Sequence, residues 1–180
     1  MQKLHPRSTA GFVVEQRREL AIVSVIARIG KRAALSRRVL ERFGIELPSG
    51  PKRSTDGGLA WAGIRGDCWI VTKEHADYGL CLSLSEGLTD LATVVEQSDG
   101  LEILRLAGPK IRDALSRMVP VDVHPRVFKV GDVATTIAAQ IRVTLWRLDD
   151  LVDGAGAFEV VVPRSFMASF LRALSHAVAH

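Results

Sequence analysis

The stretch LEILRLAGPKIRDALSRM, residues 101–118, decides how the rest of the chain is read. LEILRL carries the alternation of a half-buried strand. GPKIRDALSRM then places Ile111, Leu115 and Met118 on one helical face, with Pro109 at the first turn where a missing N–H costs nothing. The same order occurs eighty residues earlier. LAIVSVIARI (residues 20–29) is β-branched and strand-like, and KRAALSRRVLERFG (residues 31–44) sets Leu35, Val39, Leu40 and Phe43 on one face of a helix that Gly44 stops. Both helices contain ALSR, at Ala34 to Arg37 and at Ala114 to Arg117.

Working outward, LAWAGI and CWIVT flank RGD as a hairpin after the loop LPSGPKRSTDGG. LCLSLSEGLTDL is predicted helical, because ATVVEQ behind it is the better strand. In the second half TTIAAQ, IRVTLWRL and AFEVVV are predicted strands. PRSFMASFLRALSHAV closes the chain as a helix with Phe166, Phe170, Leu171 and Leu174 facing inward. Each half thus reads as a split βαβ pattern. The predicted fold class is α+β, built from two fused ferredoxin-like modules. The expected organisation is an N-terminal tail over 1–17, a first module over 18–98, and a second over 99–180 that ends in the C-terminal helix.

Composition narrows the function classes. Of the 180 residues, 47% are hydrophobic and 24% charged, which excludes a disordered or fibrous chain. The start MQKLHPRSTAG has no apolar signal-like stretch, and the longest apolar run, Leu20 to Ala27, is far short of the ~20 residues of a membrane span. The expectation is a cytoplasmic chain with no membrane association. The net charge of +4 is unevenly spread: residues 1–56 hold 12 Lys+Arg against 5 Asp+Glu, and residues 57–180 hold 12 against 15. Arginine outnumbers lysine 18 to 6, which suits protein interfaces and nucleic acid alike.

The search for chemistry returns little. No phosphate-binding glycine motif and no G-x-S-x-G elbow occurs. Cys68 and Cys81 form no C-x-x-C pair and read as reduced thiols. His5, His75, His124, His176 and His180 are scattered, and only the terminal His176 and His180 have metal-like spacing. Arg37, Arg38 and Arg42 share a helix but have no interleaved aromatics, so that helix reads as solvated or partner-facing, with no nucleic acid expected. Trp61, Trp69 and Trp146 lie beside apolar neighbours, as core or interface residues do. In PVDVHPRVF (residues 120–128) Asp122 stands two residues from His124, between Pro120 and Pro125. An acid and imidazole so spaced suit a catalytic pair, but no third group accompanies them, and the reading preferred is a structural corner. In PRSF, Ser165 is expected to cap the last helix and Arg164 to reach a carboxylate.

The second half also resembles a known family. SDGLEILRLAGPKIRDALSRMVPVDVHPRVFKVGD, IRVTLWRLDD and FEVVVPRSFMASFLRAL are similar to the gamma subunit of heterotetrameric sarcosine oxidase, within the wider group of folds related to the glycine-cleavage aminomethyltransferase. The pieces that carry the likeness are Gly108-Pro109, Asp122, His124 and Pro125 of VDVHP, the strand end WRLDD, and Pro163, Arg164, Ser165 and Phe166. In the first half GIRGDCWIV keeps Gly63, Asp67 and Trp69 at a different spacing. The resemblance implies a complex that oxidatively demethylates sarcosine, passing the one-carbon unit to tetrahydrofolate and electrons through flavins to oxygen. It implies partners, the alpha, beta and delta subunits, that hold NAD, tetrahydrofolate, FAD, FMN and zinc. On this chain it implies no catalytic, cofactor-binding or metal residue. Asp122, His124, Pro125, Arg164, Ser165 and Phe166 are then interface or structural residues. Two other function classes remain from the sequence: a stand-alone folate-dependent one-carbon-transfer module, and an RNA-binding module using the basic first third.

Overall fold

The computed structural model describes residues 7–9, 11–75 and 79–179. His5 and His180, singled out above, lie outside them. In chain order the elements are β1 (Arg7–Thr9), β2 (Phe12–Gln16), β3 (Leu20–Ala27), α1 (Arg32–Phe43), β4 (Arg53–Asp56), β5 (Leu59–Arg65), β6 (Cys68–Glu74), α2 (Gly79–Gly87), β7 (Ala92–Glu96), β8 (Leu101–Gly108), α3 (Ile111–Met118), β9 (Val133–Ala138), β10 (Ile141–Arg147) and β11 (Gly156–Pro163). A single 3₁₀ turn (Arg164–Phe166) leads into α4 (Met167–Ala179). The fold class is α+β, with two antiparallel sheets.

Two compact units are formed, one from residues 19–99 and the other from residues 1–18 together with 100–180. In the first, the sheet order is β4-β5-β6-β3-β7. Taking β3, β5, β6 and β7 as strands one to four, this is the order 4-1-3-2 of a ferredoxin-like sheet, with the short β4 added beyond strand two. Helices α1 and α2 lie over one face. Their Leu35, Val39, Leu80 and Leu84 pack with Val23, Val25, Trp61, Trp69 and Val71 in a single apolar cluster.

The second unit repeats that plan with one substitution. Its order is β1-β2-β8-β11-β10-β9. With β8, β10 and β11 as strands one to three, the fourth place beside β8 is taken by β2, from the beginning of the chain. The expected tail over 1–17 is therefore corrected. Val13, Val14, Glu15 and Gln16 pair with Ala107, Leu106, Arg105 and Leu104, and Phe12 lies in the core with Leu106, Phe158 and Phe170. The cause is simple: β11 covers one side of β8 and leaves the other edge open, and FVVEQ has the alternation that fills it. Equivalent bonds close both fourth strands, Arg17 N–H to Ile103 C=O (2.9 Å) and Gln97 N–H to Ile22 C=O (2.8 Å).

Other expectations shift locally. The loop LPSGPKRSTDGG contains β4. Helix α3 begins at Ile111, so Pro109 sits in the turn ahead of it rather than in its first turn. Leu40 and Phe166, placed on core faces from helical spacing, are each about half exposed: Leu40 lies at the margin of the apolar stripe of α1, and Phe166 belongs to the 3₁₀ turn, where α-helical spacing does not apply. Phe170 and Leu174 are buried, as that spacing predicts.

Candidate functional site

The corner holding Asp122 and His124 spans the residues between α3 and β9. Asp122 Oδ1 accepts the His124 backbone N–H (2.9 Å), and His124 Nδ1 accepts the Arg126 N–H (3.2 Å). Both side chains are exposed. The His124 carbonyl takes the N–H groups of Val127 and Phe128, each at 2.9 Å. The carboxylate is therefore spent on backbone and does not orient the imidazole. No acid–imidazole relay is assembled, and what forms is an Asx-type turn. Val123 and Phe128 anchor the corner in the core, where Phe128 stacks on Phe158 with ring centroids 6.5 Å apart.

Arg147, at the end of β10, holds the corner from behind. Its Nη1 donates to the carbonyls of Phe128 (2.8 Å) and Pro125 (3.3 Å), and its Nη2 meets Asp150 Oδ2 at 2.9 Å. Arg112 of α3 reaches the other oxygen of Asp150 at 2.6 Å. The segment WRLDD is thus a clamp: one carboxylate joins two guanidinium groups from different elements.

The PRSF segment works in a similar way. The Arg164 N–H donates to Gly100 C=O (2.9 Å), and its guanidinium meets Glu102 Oε1 at 2.6 Å. Glu102 is buried and also accepts from Gln16 of β2. Ser165 lies inside the 3₁₀ turn, whose cap is Pro163 with no side-chain hydrogen bond, so the expected Ser165 cap is corrected. Gly108 explains itself sterically. At φ +142° a Cβ there would lie 2.6 Å from Phe12 Cα and 2.7 Å from Gly11 O, so β2 can approach β8 only beside glycine.

A further polar cluster was not foreseen. Glu159 of β11, 2% exposed, accepts from Arg17 Nη1 (2.7 Å), Arg105 Nη2 (2.9 Å) and Trp146 Nε1 (2.8 Å). Two guanidinium groups and an indole N–H satisfy this buried carboxylate. The sequence signal was available, since Glu159 is the one acid inside the apolar run AFEVVV. Its partners come from positions 17, 105 and 146, which only the sheet register brings together.

Cysteine chemistry is unfavourable here. Burial pushes the Cys68 thiol above its ordinary value, against the opposing pull of Arg65, so the thiolate is disfavoured. Cys81 is likewise a free thiol. Among the described residues, no group of three or more His, Cys, Asp or Glu is placed to hold a metal ion. Among them also, no helix is long and apolar enough to cross a membrane.

Residues 30–180 match the family described as sarcosine oxidase, gamma subunit. The chain belongs to that family. A sarcosine oxidase subunit gamma from Corynebacterium sp. (strain P-1) is 32% identical over 148 residues, covering 78% of this chain and 70% of that one. One from Arthrobacter sp. is 39% identical over 54 residues, covering 30% of this chain and 27% of its own. Among solved structures, a heterotetrameric sarcosine oxidase from Corynebacterium sp. U-96 includes a chain that superposes with a TM-score of 0.80 at 24% identity, covering 93% of this chain and 84% of that one. The glycine cleavage system aminomethyltransferase T from Bartonella henselae shares the fold at a TM-score of 0.62 and 10% identity, with this chain spanning 45% of its length.

Proposed function

We propose that this chain is a non-catalytic gamma subunit of a heterotetrameric, flavin-dependent oxidase of sarcosine or a related N-methyl amine. It supports assembly of a complex that demethylates its substrate oxidatively and passes the one-carbon unit to tetrahydrofolate. In this reading FAD, FMN, NAD, tetrahydrofolate and zinc belong to the alpha, beta and delta partners. The chain contributes shape and contact area.

One observation carries the proposal: the polar groups of the family-like motifs are engaged inside the chain. Asp122 and His124 bind backbone, Arg164 binds Glu102, and Asp150 binds Arg112 and Arg147. A family member built this way has its polar motif residues committed to architecture, which fits a chain that borrows reactivity from companions. The test is co-expression with the partner subunits. The double substitution Arg164→Ala with Asp122→Ala is expected to lower both co-purification and bound flavin per mole of chain. Unchanged values of both would show that the architecture these residues hold plays no part in assembly. Turnover of an amine by the purified chain alone would remove the non-catalytic assignment.

A stand-alone folate-dependent module is the competing reading, favoured by the fold shared with the aminomethyltransferase, although this chain spans 45% of that protein. Titration of the isolated chain with tetrahydrofolate separates the two, and saturable binding supports the competitor.

A further inference from the structure

Sheet edges expose a row of unpaired backbone groups, and proteins guard them with charge, proline or brevity. Among the described residues the two sheets end at β1, β9, β4 and β7. β4 is four residues long, contains Arg53 and Asp56, and follows Pro51 and Lys52. β7 ends in Glu96, and β1 is only three residues long. β9 has neither charge nor proline within its own span, and Asp132 ahead of it is the nearest ionisable residue in sequence. From Val133 to Gln140 the sequence VATTIAAQ contains no ionisable side chain and no proline. Strands β4 and β9 hold the same place, beyond strand two of each unit.

Three further features single out β9. Ile137 is 57% exposed on this outermost strand, and Val127 and Val130 in the corner that feeds it are also exposed. The two-residue turn to β10 is made by Ala139 (φ +46°) and Gln140 (φ +68°), positions that ordinarily call for Asn or Gly. Strain of this kind is retained where the surroundings or a function require it. Pairing of Ala138 with Ile141 across that turn, and of Thr136 with Val143, also fixes the alternation. Thr135 and Ile137 consequently direct their N–H and C=O away from β10.

We infer that β9 is a docking edge, on which an extended, uncharged segment of a partner subunit adds as a seventh strand. This rests on the assembly reading above. The occupant is an extended segment because what β9 offers is main-chain donors and acceptors, and it is uncharged because VATTIAAQ provides no counter-charge. A second copy of this chain fits less well, since each copy has a formal net charge of +4 and two copies repel.

The experiment uses the complex assembled with its partner subunits, with affinity capture through this chain and bound flavin as the readout. Wild-type chain should capture flavin-containing subunits, and failure at that step overturns the assembly reading. Ile137→Lys charges an already exposed site, and Ile137→Pro removes an outward-facing N–H without breaking the β9–β10 ladder. Each is expected to reduce captured flavin by roughly tenfold or more while its isolated chain melts as wild type does. Thr55→Lys on β4 should leave capture unchanged. Full capture by both β9 variants overturns the docking edge and leaves the assembly reading standing. Hydrogen exchange supplies a second readout: the amides of Thr135 and Ile137 should exchange quickly in the isolated chain and slow on assembly. Protection that instead grows with concentration of the isolated chain would identify a second copy as the occupant and overturn the inference.

Discussion

Glu159 is the residue on which the most depends. Its carboxylate is enclosed with Arg17, and removing one member of such a buried pair leaves the other charge poorly compensated. Glu159→Ala is expected to cost about 3 kcal/mol or more in denaturant unfolding, and Glu159→Gln, which keeps an acceptor, distinctly less. Cys68 gives a prediction in pH. Burial raises its folded-state pKa above the ordinary 9.0, so below that value the thiol is neutral in both states and contributes no slope. Above it the unfolded chain releases its proton first, the folded state holds more protons, and stability falls as pH rises. Cys68→Ala should therefore lose less stability than wild type in melts run from about pH 8 to about pH 10. These residues differ in how legible they were. The Asp122–His124 spacing admitted a catalytic pair and a corner, and spacing cannot say whether a carboxylate binds an imidazole or a backbone N–H.

At the scale of elements, the β9–β10 turn stores strain that a better turn sequence would release. Replacing Ala139 and Gln140 by Asn and Gly should raise stability by about 1 kcal/mol and the melting temperature by about 2–4 °C, read by calorimetry. Gly108→Ala should do the opposite. The added Cβ meets the backbone of Gly11 and Phe12, so the start of β2 must move off β8, and amide exchange should quicken there first. Strands β3, β8 and β10 were readable from alternation of polar and apolar residues, and β11 from a short, mostly β-branched apolar run. Strand β4 was not, since RSTD is short and polar and is held in its place by pairing with Leu59–Ala62. Phe166 shows the converse error: periodicity put it inward, while the 3₁₀ turn that precedes α4 turns it out.

For the whole molecule, the pattern of connections matters most. Each fourth strand feeds the first strand of the other unit: β2 runs into β3, and β7 runs into β8, so the chain crosses between units near residues 18–19 and 99–100. A chain limited to residues 100–180 therefore lacks the strand beside β8 and the Phe12 side chain, which alone is worth about 2–3 kcal/mol of burial. Fusing residues 1–18 behind α4 through a flexible linker should restore cooperative unfolding that the bare fragment does not show. A fragment that melts as sharply without them would refute the assignment of β2 as an integral strand.

The sequence by itself determined the α+β class, the repeated strand–helix order and the family, because alternation, helical spacing and motif residues are local properties that survive without coordinates. Tertiary structure alone decided that the first strand completes the second unit, that Glu159 gathers Arg17, Arg105 and Trp146, and that Asp122 serves a turn. The reason is physical. Those outcomes depend on which edges remain unpaired and which buried charges remain unsatisfied once the chain has collapsed, and neither quantity exists until distant segments meet.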